Sequence, residues 1–254
     1  MANYFTGDPN CISAWRFEAG AMLTDEMGKN DLTWFGVDYK PVEDTTIYKE
    51  SDCSAKWNDG IEEPYTIADG DLSADFPLKN GGSATFSWVA WIYPTVGSHD
   101  QYLIGKMDYT GYDSALLVSY GLPSWAFLAS GNETDTGLAV ETDTWHHVAV
   151  TYDGGTDQLT IRVYHESTGL TDSYQTTLTG GDVVVAGSQP WTIGSPFSLE
   201  TVRIDELAVF DDVLTADEID EIRAGTFGGG GGGGVEQTTG DGGGISTFFL
   251  GCPF

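Results

Sequence analysis

The sequence predicts an all-β sandwich of two antiparallel sheets, closed by one short helix and followed by a glycine-rich tail. Three observations predict this fold class. Strand-like runs with a period of two recur along the chain, separated by Gly-, Asp- and Asn-rich turn signals. A helical period occurs in only one short stretch. An unbroken run of seven glycines, Gly228 to Gly234, follows that stretch. Regular strands with almost no helix are typical of sandwiches and jelly rolls.

The N-terminal third predicts few strands. After a polar lead-in, residues 12–40 should contain a first strand, a loop and a second strand around Leu32–Gly36. The stretch 41–84 is acidic and poorly periodic, with ADGD as one of its turn signals. We expect short strands there at Ala55–Trp57 and Tyr65–Ile67.

The central part predicts a series of alternating strands. The clearest signal is a hairpin in which 145–152 and 158–165 alternate around the turn Asp153-Gly154-Gly155, whose glycines allow the positive φ that a tight reversal needs. Other strands are expected near residues 84–93, 101–107, 114–120, 124–129, 138–140, 173–178, 191–194 and 201–210.

One helix is predicted after the last strand. Thr215 and Glu218 form a capping-box pattern, Ile219 and Ile222 give an apolar stripe, and Gly225 stands where a C-terminal left-handed residue is favoured. This short helix should close one end of the sandwich.

Composition excludes several classes of function. The chain has 39 acidic and 10 basic residues, a net charge of −29, so it should repel nucleic acid and anionic membranes. No run of 18 apolar residues exists, and MANYFTGDPN lacks the basic and apolar regions of a classical signal peptide. The three cysteines lack zinc spacing. Cys11 and Cys53 either pair or remain unrelated thiols.

Five motifs, in order, carry a family resemblance. They are AWRFE at 14–18, TDEMGKND at 24–31, FSWVAWI at 86–92, LIGKMD at 103–108, and WHHVAVTYDGG at 145–155 with IDELAVFDDVLTADEI at 204–219. Together they resemble the laminin-G-like domains of the concanavalin A-like jelly-roll superfamily, over roughly residues 12–225. The resemblance implies one jelly-roll domain, placed at residues 1–226, and a glycine-rich C-terminal arm at 227–254. It is evidence for the fold more than for the function.

The acidic run 218–221 resembles the carboxylate motif of glycosidases that share this fold. That motif needs alternate residues on one face of a strand. On a helix, residues i and i+2 point about 200° apart. We therefore predict no catalytic residues and a non-enzymatic protein.

The resemblance also implies a structural Ca²⁺ site where the first loop meets the penultimate strand. Calcium takes oxygen ligands from carboxylates, amides and backbone carbonyls of irregular loops. By motif position, the calcium ligands would be Asp25, Gly28 through its carbonyl, Asn30 and Asp205. In the alternative, Asp205 does not bind calcium but is hydrogen-bonded or paired with Arg16 or Arg203.

Carbohydrate recognition is a second implication of the resemblance. The family precedent is binding at edge loops or on the concave sheet, through aromatic side chains with polar neighbours. In the alternative, each aromatic side chain packs in the core or at its rim. The candidates are Tyr109, Tyr112, Asp113, Trp125 and Trp191.

The C-terminal tail suggests assembly. Polyglycine cannot order itself, because glycine loses the most backbone entropy on ordering, and the chain end is too apolar to stay free in water. We expect an arm that binds a neighbouring subunit; in the alternative, the end folds back on its own domain. The apolar arm residues are Phe248, Phe249, Leu250 and Phe254.

These features favour a structural or binding module displayed on a larger assembly, first of all a virion decoration or tail component that also binds a surface glycan. A virion or an extracellular surface is the expected location, and neighbouring subunits are the expected partners. The alternative is a secreted or cell-surface, calcium-dependent carbohydrate-binding adhesin domain. A glycoside hydrolase on the same fold is disfavoured.

Overall fold

The computed structural model describes residues 3–34, 40–58, 63–95, 100–108, 110–119, 123–194 and 201–228. Within these ranges the chain forms fifteen strands and one α-helix, α1 (Ala216–Arg223). The first eight strands are β1 (Cys11–Trp15), β2 (Thr33–Trp34), β3 (Val42–Asp44), β4 (Ser54–Trp57), β5 (Tyr65–Ile67), β6 (Phe86–Pro94), β7 (Gln101–Asp108) and β8 (Gly111–Ser119). The others are β9 (Ser124–Ala129), β10 (Asn132–Ala139), β11 (His146–Asp153), β12 (Gln158–His165), β13 (Leu170–Thr177), β14 (Trp191–Ile193) and β15 (Val202–Phe210).

The strands form two antiparallel sheets. The eight-stranded sheet has the order β13-β12-β11-β6-β15-β4-β3, with β1 also paired to β15. The seven-stranded sheet has the order β10-β9-β8-β7-β14-β5-β2. Strands distant in sequence are neighbours in both sheets, as in a jelly roll. The predicted all-β sandwich of two antiparallel sheets is confirmed.

The core between the sheets is rich in tryptophan. Five tryptophans are essentially inaccessible to solvent. Trp191 packs on Trp15 and Trp88 at ring-centroid distances of 6.2 and 5.2 Å. Each large aromatic side chain removes roughly 150–250 Å² of surface from water, so hydrophobic burial holds the sheets together. Cys11 and Cys53 are buried free thiols rather than a disulfide.

Two strands differ from the prediction. Strand β3 was not predicted, and the strand expected at 138–140 is the end of the longer β10. Strand β10 is a sheet edge with largely exposed side chains. Its polar sequence therefore lacks the apolar alternation that reveals half-buried strands.

The helix prediction is confirmed. Thr215 caps α1, and its side chain and that of Glu218 form the reciprocal capping box. Residues 218–221 therefore lie on a helix. They do not form the pair of carboxylates on one face of a strand that the glycosidase motif needs. No helix in the part of the chain that the structure describes is long and apolar enough to cross a membrane.

The jelly-roll domain extends beyond the predicted boundary at residue 226. Phe227 is only 5% exposed and packs with Phe5 and Phe210 at centroid distances of 6.1 and 5.6 Å. Its carbonyl accepts a hydrogen bond of 2.8 Å from the Tyr4 amide. Phe227 thus belongs to the domain. The predicted assembly residues Phe248, Phe249, Leu250 and Phe254 lie outside the described residues.

Candidate functional site

A groove of about 510 Å³ lies on the outer face of the seven-stranded sheet. Its floor is a row of threonines on adjacent strands: Thr33 on β2 pairs with Thr66 on β5, which pairs with Thr192 on β14. Successive side chains of a strand point to opposite faces of the sheet. Because the residues on either side of Thr66 and Thr192 point into the core, these threonines point outward, into the groove. The groove is therefore built on sheet rather than on loops alone.

Two of these threonines also fix the floor. Thr192 Oγ1 donates to the Met107 carbonyl at 2.7 Å, and Thr33 Oγ1 donates to the Thr66 carbonyl at 2.7 Å. The first bond ties β14 to β7, and the second ties β2 to β5. Thr66, at the centre of the row, is half-buried.

The walls of the groove combine carboxylates with apolar surface. Asp69 and Asp71 come from a 3-10 turn, Asp69–Asp71, that follows β5, and Asp108 comes from the end of β7. The apolar lining residues are Pro64, Ala68, Met107 and Pro190. Apolar walls with a few convergent polar groups are typical of small-molecule sites of this size.

Asp69 is held in place by a lysine beneath the sheet. Lys106 is fully buried, and its Nζ forms an ion pair with Asp69 Oδ1, which also accepts the Asn80 amide at 3.1 Å. Burial lowers the pKa of Lys106, while the charge of Asp69 acts in the opposite direction. A buried charge is tolerated only when it is paired. Asp69 therefore neutralises Lys106 and cannot move freely.

Asp108 is fixed by the turn between β7 and β8. Its Oδ1 accepts the Thr110 amide at 2.6 Å and the Gly111 amide at 3.1 Å. With its amide nitrogen turned toward the carboxylate, the orientation that satisfies both of its polar atoms, the Gln189 side chain donates to the two Asp108 oxygens at 2.9 and 3.1 Å. All these partners are uncharged, so none of them neutralises the charge of the Asp108 carboxylate at the groove wall.

The predicted carbohydrate-binding tryptophans are wrong as sugar contacts. Trp125 and Trp191 are both 0% exposed. Trp125 faces His146 at a centroid distance of 5.5 Å, and Trp191 packs within the tryptophan core. Both lie at inward positions of their strands. The alternative, core packing, is what the structure has.

Tyr112 and Asp113 lie beside the groove. Tyr112 stacks on Tyr102 at a centroid distance of 4.8 Å, and both pack against the apolar cluster that includes Met107, one of the groove-lining residues. Asp113 Oδ2 accepts a hydrogen bond of 3.0 Å from the backbone amide of Gln189. Tyr109, the remaining candidate, lies outside the described residues.

The predicted calcium ligand Asp25 is saturated by its own loop. Its carboxylate accepts four backbone amides, from Ala14 and Met27 on Oδ1 and from Lys29 and Asn30 on Oδ2, at 2.8–3.1 Å. Gly28 turns this loop at a φ of +68°. The side-chain oxygen of Asn30 accepts the Ser73 amide. A carboxylate offers about four lone-pair sites, so Asp25 has no oxygen left for an ion.

Asp205 is occupied as well. It is 0% exposed, and its Oδ2 accepts the Lys49 and Glu50 amides at 2.8 and 3.1 Å. Burial raises the pKa of Asp205 to about 8. Arg16 pairs at 2.8 Å with the neighbouring Glu206. The hydrogen-bonded alternative for Asp205 is therefore confirmed.

These donors do not fit a calcium ion in this arrangement. Across the described ranges, no three His, Cys, Asp or Glu side chains are placed to hold a metal. Calcium needs 6–8 oxygen ligands, and both predicted carboxylates already serve backbone amides. Calcium has no part in the function proposed below.

The threonine row and the groove carboxylates were missed at the level of sequence. Each threonine is the centre of an apolar-Thr-apolar tripeptide: Leu32-Thr33-Trp34, Tyr65-Thr66-Ile67 and Trp191-Thr192-Ile193. That recurring pattern is the signal that could have found them. Asp69 and Asp71 stood only as part of a turn signal, because nothing in the sequence places them beside β14.

The sandwich, with a groove on one sheet, defines a lectin-like jelly-roll domain. A family model described as "Concanavalin A-like lectin/glucanases superfamily" (laminin G 3) matches residues 68–220, which is more than half of the chain. The chain therefore belongs to this family. No curated protein matches it.

Solved structures share the fold at low sequence identity. Trypanosoma rangeli sialidase in complex with sialic acid is 15% identical with a TM-score of 0.52. The binding domain of botulinum neurotoxin DC in complex with SialylT is 11% identical with a TM-score of 0.57. Tailspike protein 2 from Escherichia coli O157:H7 bacteriophage CAB120 is 12% identical with a TM-score of 0.52.

The matches cover most of this chain but only part of the other proteins. They cover 84%, 85% and 76% of this chain, and 32%, 51% and 27% of the sialidase, neurotoxin and tailspike chains, respectively. This chain thus spans about a quarter to a half of those structures. Both an enzyme and a binding domain are among them, so the fold alone decides neither activity.

Proposed function

We propose that the chain is a non-enzymatic glycan-binding module carried by a larger assembly. The observation that carries this proposal is the groove, whose threonine floor, carboxylates and apolar wall suit a sugar. The hydroxyl oxygens of Thr33 and Thr66 and the carboxylate oxygens of the wall can accept the hydroxyl protons of a sugar, while Ala68 and Pro190, which are not buried, can pack against its C–H surface.

The comparisons support glycan binding as the general activity. Two of the similar structures, the sialidase and the neurotoxin binding domain, were solved with sialic acid and SialylT, respectively. Binding without chemistry is favoured here because Asp69 is neutralised by Lys106 and Asp108 is held by a turn. Glycoside hydrolysis instead needs a carboxyl group that gives a proton to the leaving group and a second carboxylate that acts as base or nucleophile.

A place on a virion is a second proposal, supported by the likeness to a phage tailspike. There the C-terminal arm would bind neighbouring subunits. Removing residues 229–254 should lower the oligomeric state measured by light scattering, while the thermal midpoint of the domain is retained. An unchanged oligomeric state would contradict the arm.

Filling the groove tests glycan binding. Thr66→Tyr puts a bulky ring at the centre of the floor, where the side chain is half-buried. Thr160→Tyr is the matched control, because Thr160 is a half-buried outer-face residue of β12 in the other sheet. On a glycan array, wild type and Thr160→Tyr should bind the same sugars and Thr66→Tyr should lose them. Equal binding by both variants, or none by wild type, would rule the proposal out.

A further inference from the structure

The charges around the groove are one-sided. The lining includes three aspartates, and none of its described residues is a Lys, Arg or His. A ligand in this groove therefore meets negative charge from the end of β7 and from the turn after β5.

Two lysines close to Asp69 already have partners. Lys106 lies beneath the sheet, is fully buried and is paired with Asp69. Lys79, which also acts on Lys106, directs its Nζ to the Leu72 carbonyl. Neither lysine is among the residues that line the groove.

The carboxylate of Asp71 is the least compensated of the three. It lies at the exposed end of the 3-10 turn, and in the described part of the structure no cation or hydrogen-bond donor contacts its oxygens. Its charge acts on a ligand at short range, so a like charge in the groove is repelled and a positive charge is attracted.

We infer that the groove selects glycans by charge. It binds neutral sugars, binds sugars with a protonated amine more tightly, and excludes sugars with a carboxylate, such as sialic acid. This inference rests on the proposed function and narrows it. The expected preference is opposite to what the sialic acid complex of the sialidase alone would suggest.

The test measures the affinity of three probes: a glucosamine oligomer with free amines, its N-acetylated counterpart, and sialyllactose. The variants are Asp71→Asn and Asp182→Asn, each of which removes one negative charge from the last residue of a three-residue 3-10 turn. Asp182 is exposed and does not line the groove. The pair therefore separates a local effect from that of the overall charge of −29.

Wild type should bind the amine probe most tightly and should not bind sialyllactose. Asp71→Asn should reduce the preference for the amine over the N-acetylated probe by about threefold to tenfold, and Asp182→Asn should leave it unchanged. Salt should weaken the preference. Tight binding of sialyllactose, or equal effects of the two variants, would overturn the inference while leaving glycan binding intact. Binding of none of the probes would contradict the proposed function, and the inference with it.

Discussion

The two outer faces of the sandwich are built differently. On the eight-stranded sheet, α1 and the N-terminal segment cover the strands, and Phe5, Phe210, Ile219 and Phe227 form a second apolar cluster there. On the seven-stranded sheet, a groove with a polar floor remains open. One face contributes stability, and the other is available to a ligand.

Positive charge is distributed just as unevenly. All four arginines lie on the covered face of the eight-stranded sheet or on α1: Arg16 pairs with Glu206, Arg162 with Asp220, Arg203 with Asp44, and Arg223 stacks over Tyr164. None of the described residues that line the groove is a Lys, Arg or His.

Breaking an ion pair on the covered face should have the largest effect on stability. Arg203 Nε lies 2.8 Å from Asp44 Oδ2, with side chains 9% and 7% exposed. Arg203→Ala leaves a buried carboxylate unpaired and should lower the unfolding free energy by about 3–5 kcal/mol. Urea unfolding measures this loss, and glycan binding by the remaining folded protein should be unchanged.

The control for this prediction is Lys29→Ala. Lys29 pairs with Asp75 at 2.6 Å, but both side chains are well exposed, at 38% and 45%. Water screens such a pair, so its loss should cost only about 0–1 kcal/mol. Equal losses in the two variants would show that the covered face has no special role in stability.

A smaller effect is expected from pH. Burial raises the pKa values of Asp205 and Glu206 to about 8 and about 7. As pH rises from low values, the unfolded state releases the protons of these two carboxyl groups first, while the folded state still binds them. Proton binding therefore stabilises the folded state at low pH, and this stabilisation is lost as pH rises through 7 and 8. In the unfolded chain, Asp and Glu side chains are mostly ionised above about pH 5. The unfolding free energy should fall by about 1 kcal/mol or more between about pH 5 and 9.

Asp205→Asn removes one of these titrations and keeps an oxygen for the Lys49 and Glu50 amides. Its unfolding free energy, measured by urea titration at several pH values, should depend less on pH than that of wild type. Asp182→Asn, an exposed control, should follow wild type. If the unfolding free energy of Asp205→Asn falls with pH as steeply as that of wild type, the titration of Asp205 is not a source of the pH dependence.

The smallest effect is expected from calcium. The loop carboxylate of Asp25 is satisfied by four backbone amides, so neither added Ca²⁺ nor a chelator should move the thermal midpoint. Differential scanning fluorimetry measures this. A rise of several degrees with calcium would restore the site predicted from the family resemblance.

The sequence predicted the strands better than the site. The hairpin β11–β12 was accessible because alternation and an Asp-Gly-Gly turn are local signals. The prediction for Trp125 and Trp191 was wrong because the local sequence of a strand does not show whether a tryptophan faces the core or a ligand. The groove joins residues as distant as Thr33 and Thr192, and only strand pairing brings them together.

The account is tested most directly by locating a bound glycan on the protein. Backbone amide chemical shifts, recorded with and without a glycan that the array identifies, report which face is contacted. Shifts should concentrate at Thr33, Thr66, Asp71 and Ser188 around the groove. Shifts concentrated instead around Thr160 or α1, on the eight-stranded sheet, would contradict the division of the sandwich into a stabilising face and a binding face.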